Sequence, residues 1–203
     1  MFVFSTPQQV VDLKQRSLVW EKDGFPGIDD GMQLSLSLLN KFPHLAPVYS
    51  CTGHIKTHPT DPKRRVRSDF YVIFAATEEG FNILRDIYQR LQDRLIKGYT
   101  EAHNEYKRKM AEHAVANPDI VKVQDFHIKP VSRPNLLRLS HTVRVWPIST
   151  AGGDEGLHDG DTTFYNVALL AAETGNAHSV IKSFLNDFTE VVVEVAQTLN
   201  IEA

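Results

Sequence analysis

The residues best equipped for chemistry lie close together, between Ser50 and Arg67. In Tyr49-Ser50-Cys51-Thr52-Gly53-His54-Ile55-Lys56-Thr57-His58, a thiol, two imidazoles and several hydroxyls surround one glycine. Lys63, Arg64, Arg65 and Arg67 follow. From Ser50 to Ser68 there are five Lys/Arg and one Asp, Asp61, in a chain whose net charge is −3. Backbone N–H groups around Gly53, the Ser50 and Thr52 hydroxyls and these cations together suit a phosphate or another anion. The ligand-binding candidates are therefore Ser50, Cys51, Thr52, Gly53, His54, Lys56, His58, Lys63, Arg64, Arg65 and Arg67. The plainer reading is a basic loop that is simply solvated.

The same stretch admits two other chemistries. Cys51-x-x-His54-x-x-x-His58 offers a thiolate and two imidazoles, which zinc accepts, with His127, His141 or His158 as a fourth ligand. Cys51 could instead act as a nucleophile with His54 or His141 as its base, although a lone cysteine is more often a small buried hydrophobe. No cofactor is required by the pattern, zinc being the one candidate, and no residue set fixes a catalytic role. His141 stands among apolar neighbours, where an unpaired ring is costly. It is either a core histidine bonded to a carbonyl or, if its face lines a pocket beside His54, a twelfth site residue. Gly152–Asp161 mixes four carboxylates with four glycines without the spacing of a calcium loop. It reads as a mobile acidic loop that could close over the basic one.

Several elements must position these groups. Thr6-Pro7 opens a helix to Leu18 with Val10, Val11, Leu13 and Leu18 loosely on one side. Asp29-Asp30 would cap a second helix through Phe42, with Met32, Leu36 and Leu39 inward, although Leu34, Leu36 and Leu38 also alternate as a strand does. Ala46–Ser50 is β-like and delivers Cys51 at its end. Thr57–Ser68 is polar, basic and proline-bearing, hence a loop. Asp69–Ala76 reads as a central strand covered on both faces. From Thr77 a helix follows with Phe81, Leu84, Ile87, Tyr88, Leu91 and Leu95 on one face, and Gly98–Val115 continues as a polar, exposed helix. Strands are expected at Ile120–Ile128 and Leu136–Trp146. In the latter, Leu137, Leu139, His141, Val143 and Val145 share a face opposite Arg138, Ser140, Thr142 and Arg144. Phe164–Ala172 suits either a strand or a helix, and Val180–Leu199 carries a continuous helical stripe. The order predicts an α/β fold of the α+β type. A small mixed or antiparallel sheet of about four to five strands would have long helices packed on one face.

At 203 residues, 42% apolar and 23% charged, the chain fits one ordinary globular domain spanning 1–203. Near-neutral charge argues against wholesale nucleic-acid coating but allows a local basic patch. One cysteine precludes an intramolecular disulfide and points to a reducing compartment. Met1-Phe-Val-Phe-Ser lacks the pattern of a signal peptide, and no apolar run approaches the ~20 residues of a membrane span. A cytoplasmic location without membrane association is expected.

Asp29 or Asp30 opening a helix, Leu39-Asn40 near its end and the turn Ser50-Cys51-Thr52-Gly53-His54 follow one another in residues 28–55. This stretch resembles the tRNA-wybutosine N4-methyltransferase family, whose turn reads Ser-Cys-Ser-Gly-Arg. Thr52 and His54 depart from it. The stretch is also similar to uncharacterised proteins of tailed bacteriophages with a Ser-Cys-x-Gly-His turn. The resemblance implies a nucleotide-like or RNA ligand, and the phage likeness implies an accessory protein. Three functions follow as expectations. The first is binding of a phosphorylated ligand, a nucleotide or structured RNA. The others are a metal-dependent nucleotide hydrolase, and a non-enzymatic inhibitor or adaptor that binds a host protein.

Overall fold

The structure, a computed structural model, describes residues 4–22, 31–52, 55–58, 61–67, 70–116, 136–143, 163–170 and 177–202. At 16–22, 49, 55–58, 61–67, 136–143, 163–170 and 177–181 it describes the backbone path alone. The chain builds α1 (Pro7–Lys22), α2 (Gln33–Lys41), β1 (Leu45–Cys51), β2 (Ile55–His58), β3 (Asp61–Arg67) and β4 (Phe70–Ala76). After these come α3 (Glu78–Ala116), β5 (Leu136–Val143), β6 (Thr163–Leu170) and α4 (Ala177–Thr198). It is a mixed helix-and-strand fold. The strand expected at 120–128 and the Gly- and Asp-rich loop at 149–162 lie outside the described residues.

Two helix starts are secured by their own side chains. Ahead of α1, Gln9 N–H donates to Thr6 Oγ1 (3.2 Å) while Thr6 N–H donates to Gln9 Oε1 (2.7 Å), a reciprocal capping box. Ahead of α3, Gly80 N–H donates to Thr77 Oγ1 (3.2 Å), and Glu78 and Glu79 occupy the positive end of the helix. The ambiguity over α2 resolves as a helix: Met32, Leu36 and Leu39 are buried on one side, whereas Leu34 is 61% exposed. A strand would have put Leu34 and Leu36 on the same face.

The main sheet runs β1-β4-β6-β5, and each neighbouring pair is antiparallel. Phe164–Ala172, ambiguous in sequence, supplies its third strand as β6. β4 is apolar throughout because both its faces are covered. Phe70, Val72, Phe74 and Ala76 join Leu36, Leu39, Leu84, Ile87, Leu91, Phe184 and Phe188 in one core. Ile73 and Ala75 join Val10, Leu13, Ala46 and Val48 in a second. This corrects the expectation of helices on one face. α2, α3 and α4 cover one side of the sheet, and α1 covers the other along β1 and β4. The fully buried phenylalanines, among them Phe42, Phe74 and Phe188, each contribute about 1.5–3 kcal/mol relative to exposure.

α3 carries the chain well past this core. Its 39 residues extend about 58 Å, against a radius of gyration of about 17 Å for a compact chain of this length. Leu91 is its last buried residue. Beyond it, Lys97–Glu101, Arg108–Glu105, Arg108–Glu112 and Lys109–Glu105 pair along the helix surface. Such i,i+3 and i,i+4 pairs support a polar helix at a few tenths of a kcal/mol each.

Candidate functional site

β1 and β4 form an antiparallel ladder from Leu45↔Ala76 to Cys51↔Tyr71. Pro47 sits in the outer strand, where a missing N–H is tolerated, and the register shifts between Pro47 and Tyr49. The far end of this ladder is the base of the candidate site. There Ser50 is half-buried, and Cys51 and Thr52 are each 8% exposed. Phe70, opening β4, is fully buried and held edge-on by Phe184 and Phe188, at centroid distances of 4.9 and 5.2 Å. Such edge-to-face pairs add about 0.5–1.5 kcal/mol each beyond area burial. The base is therefore anchored to α4.

From this base the basic stretch emerges as a second, two-stranded antiparallel sheet. The expected loop at Thr57–Ser68 is corrected: β2 and β3 pair through Ile55↔Arg67, Lys56↔Val66 and Thr57↔Arg65, and then through His58↔Asp61. The register shift lies between Thr57 and His58, so the unmatched residues of β3 are Pro62, Lys63 and Arg64. Pro62 cannot donate to a ladder, which is why the irregularity falls there. Two residues separate Thr52 from Ile55, and two separate Arg67 from Phe70. Three Cα–Cα steps reach at most about 11 Å, so both strands of the ribbon are held close to the β1–β4 end.

The structure thus gathers Ser50, Cys51 and Thr52 at the base and places Lys56, His58, Lys63, Arg64, Arg65 and Arg67 along the ribbon backbone. Gly53 and His54 lie outside the described residues, as do His127 and His158. Among the described residues no three His, Cys, Asp or Glu side chains gather as a metal set. No helix of the described residues is long and apolar enough to cross a membrane.

His141 is set apart from this group. Its backbone row runs His141↔Tyr165, Tyr165↔Phe74 and Phe74↔Pro47, whereas the row that ends at Cys51 passes through Tyr71, Ala168 and Arg138. Three strand spacings across and three residues along put His141 about 14 Å and about 10 Å away from Cys51 in the two directions. Its register with Phe74 places it on the sheet face that bears α2, α3 and α4. That placement suits a core histidine better than a partner of the ribbon.

Sequence reasoning missed Phe70 as the anchor of the base. The available signal was an aromatic residue opening an apolar run directly after a basic one. No family model, no curated protein and no solved structure matches this chain.

Proposed function

We propose that this chain binds a phosphorylated ligand, a nucleotide or a structured RNA, through the ribbon of β2 and β3. The observation that carries the proposal is the placement of the basic stretch. Five Lys/Arg and one Asp occupy a paired ribbon whose two short tethers join it to the buried end of the β1–β4 ladder. A ribbon loses less conformational freedom on binding than a free loop, so less of the electrostatic attraction is spent on ordering it. The turn Ser50-Cys51-Thr52-Gly53-His54, with its resemblance to an RNA-modifying family, supports the same ligand chemistry.

The test is fluorescence anisotropy with a labelled RNA hairpin across a salt series. Neutralising Z phosphates gives a log–log salt slope of about −0.9Z, so five cations set a limit near −4.5. Replacing Arg64, Arg65 and Arg67 together by Ala should flatten the slope by roughly 2.7. Binding that ignores salt, or a triple variant that binds like the parent, would remove the proposal.

A further inference from the structure

We infer that the ligand is a structured RNA with an unpaired loop, and that the projecting part of α3 takes the loop while the ribbon takes the phosphates. This rests on the phosphate-binding reading above and narrows it to one of its two ligands. The first argument is direction. α3 starts at the end of the β1–β4 ladder opposite the ribbon, where Thr77 N–H donates to the His44 carbonyl and Leu45 is paired with Ala76. It then runs back along β4. Leu84, Ile87 and Leu91 share a core with Phe70. Arg94 reaches Asp187 and Glu190, on either side of the Phe188 that packs on Phe70. The lengths agree: from Glu78 to Arg94 the helix rises about 24 Å, and the seven residues of β4 span about as much. Beyond Arg94, α3 therefore passes the end of the sheet from which both ribbon tethers leave. This arm, on to Ala116, adds about 33 Å.

The second argument is what the arm carries. Tyr99, His103 and Tyr106 recur at i, i+4 and i+7 and so form one row along the helix. The rings of Tyr99 and His103 stack 13° from parallel with centroids 5.7 Å apart, and those of His103 and Tyr106 stack at 24° and 6.3 Å. All three side chains are half-buried, whereas Thr100, Ala102, Asn104 and Lys107 around them are exposed. The row covers about 10 Å of helix, room for more than one base. Unstacked bases of RNA loops pack against rings of this kind, and the phenol O–H and imidazole N–H groups can bond to base edges.

The third argument is charge. On the arm, Lys97, Lys107, Arg108 and Lys109 outnumber Glu101, Glu105 and Glu112, in a chain whose net charge is −3. At the root of the arm, Arg94 engages the α4 acids Asp187, Glu190 and Glu194. A polyanion drawn to the ribbon is therefore not repelled by the arm beside it. A mononucleotide brings one base and leaves most of the row unused. A fully paired duplex brings none, because its bases stay stacked on one another. A hairpin supplies phosphates for the ribbon and free bases for the arm.

The experiment uses the full chain with a looped RNA hairpin, a fully paired RNA duplex of equal nucleotide count and a DNA hairpin of the same sequence, and adenosine monophosphate as competitor. The RNA hairpin should bind about tenfold more tightly than the RNA duplex. Tyr99→Ala/Tyr106→Ala should remove that advantage and leave the salt slope unchanged, since no charge is lost. Both positions lie beyond Leu91, the last buried residue of α3, so thermal melting should hold. Tyr99→Phe/Tyr106→Phe keeps the rings and should keep most of the advantage. Equal binding of RNA hairpin and duplex, an Ala pair that binds like the parent, or a Phe pair that loses as much as the Ala pair overturns the arm as a loop site. Tighter binding of the DNA hairpin, or displacement of the RNA hairpin by adenosine monophosphate at matching nucleotide concentration, overturns the structured-RNA assignment. In each of these cases, loss of binding in the Arg64, Arg65 and Arg67 triple variant leaves phosphate binding by the ribbon standing. Salt-independent behaviour, or no binding with any probe, overturns both readings.

Discussion

Gly80 and Gly98 lie on the same helix and should respond to the same substitution with opposite signs. A Cβ built at Gly80 would stand 1.9 Å from the His44 carbonyl oxygen, 2.7 Å from its carbon and 3.1 Å from Leu45 Cδ2. The obstacle is backbone, so it cannot swing away. The first turn of α3 would have to lift off the α2–β1 turn and stretch the bond that Thr77 N–H donates to the His44 carbonyl (3.2 Å). Overpacking of this kind costs about 1–3 kcal/mol, with the lost hydrogen bond adding about 1. Ala regains up to about 1 kcal/mol in helix propensity. Gly80→Ala should therefore lose about 1–3 kcal/mol net. At about 2–4 °C per kcal/mol for a chain of this size, melting should fall by roughly 2–12 °C. A Cβ at Gly98 meets nothing within 4 Å. Gly98→Ala should keep the propensity gain and raise the melting temperature by roughly 1–4 °C. The assay is paired calorimetry of the two variants and the parent. Two gains of similar size would show that α3 does not approach the His44 turn as described, and the packing of its N-terminus would have to be redrawn.

Two further expectations concern pH. Lys14 donates from Nζ to the Phe42 carbonyl, and burial pushes its amine down to about 8 from the ordinary 10.5. The folded value lies below the unfolded one, so burying the charge costs most below pH 8, and stability should rise from about pH 8 to about 10.5. Lys14→Met should abolish that rise; parallel denaturation midpoints for variant and parent across this window would refute it. Arg94 joins α3 to α4 through Glu190 (2.6 Å), Glu194 (2.5 Å) and Asp187 (3.6 Å), and burial already raises the Asp187 carboxyl. Arg94→Met should cost roughly 1 kcal/mol at pH 7, since these pairs are partly exposed. Without the cation the Asp187 carboxyl titrates higher still, so the deficit should shrink as acid protonates it. Urea midpoints at pH 7 and pH 4 that differ from the parent by the same amount would count against this account.

Elements that bury a face were legible in the sequence because burial leaves a period. The Leu84, Ile87 and Leu91 spacing of α3 and the unbroken apolar run of β4 each state what covers them. The side of the sheet taken by α1 was not legible. Val10 and Leu13 are buried, but Val11 between them is 42% exposed, so the helix presents a narrow apolar stripe that names no partner. The ribbon was hidden for a related reason. β2 and β3 pair through their backbones, and Pro62 with four cations breaks the apolar alternation that would have marked β3 as a strand. Only the two-residue interval between His58 and Asp61, the length of a tight hairpin connection, hinted at it. The alternation around His141 is a local pattern, but which strands separate it from Cys51 is a matter of sheet order, and sheet order is not written locally.

That the charges sit on a ribbon changes what the scaffold contributes. A free basic loop would owe its affinity to charge alone and would depend little on the rest of the molecule. Here the strands leave from the last rung of a ladder whose other end is fixed by Ser5 N–H on the Ala76 carbonyl (2.9 Å) and by Thr77 N–H on His44. Phe70, between Phe184 and Phe188, holds the exit of the chain against α4. The place from which the ribbon's backbone leaves is thereby tied to the same core that gives the protein its stability. On the proposed function, loss of that packing should weaken phosphate binding without removing a single positive charge.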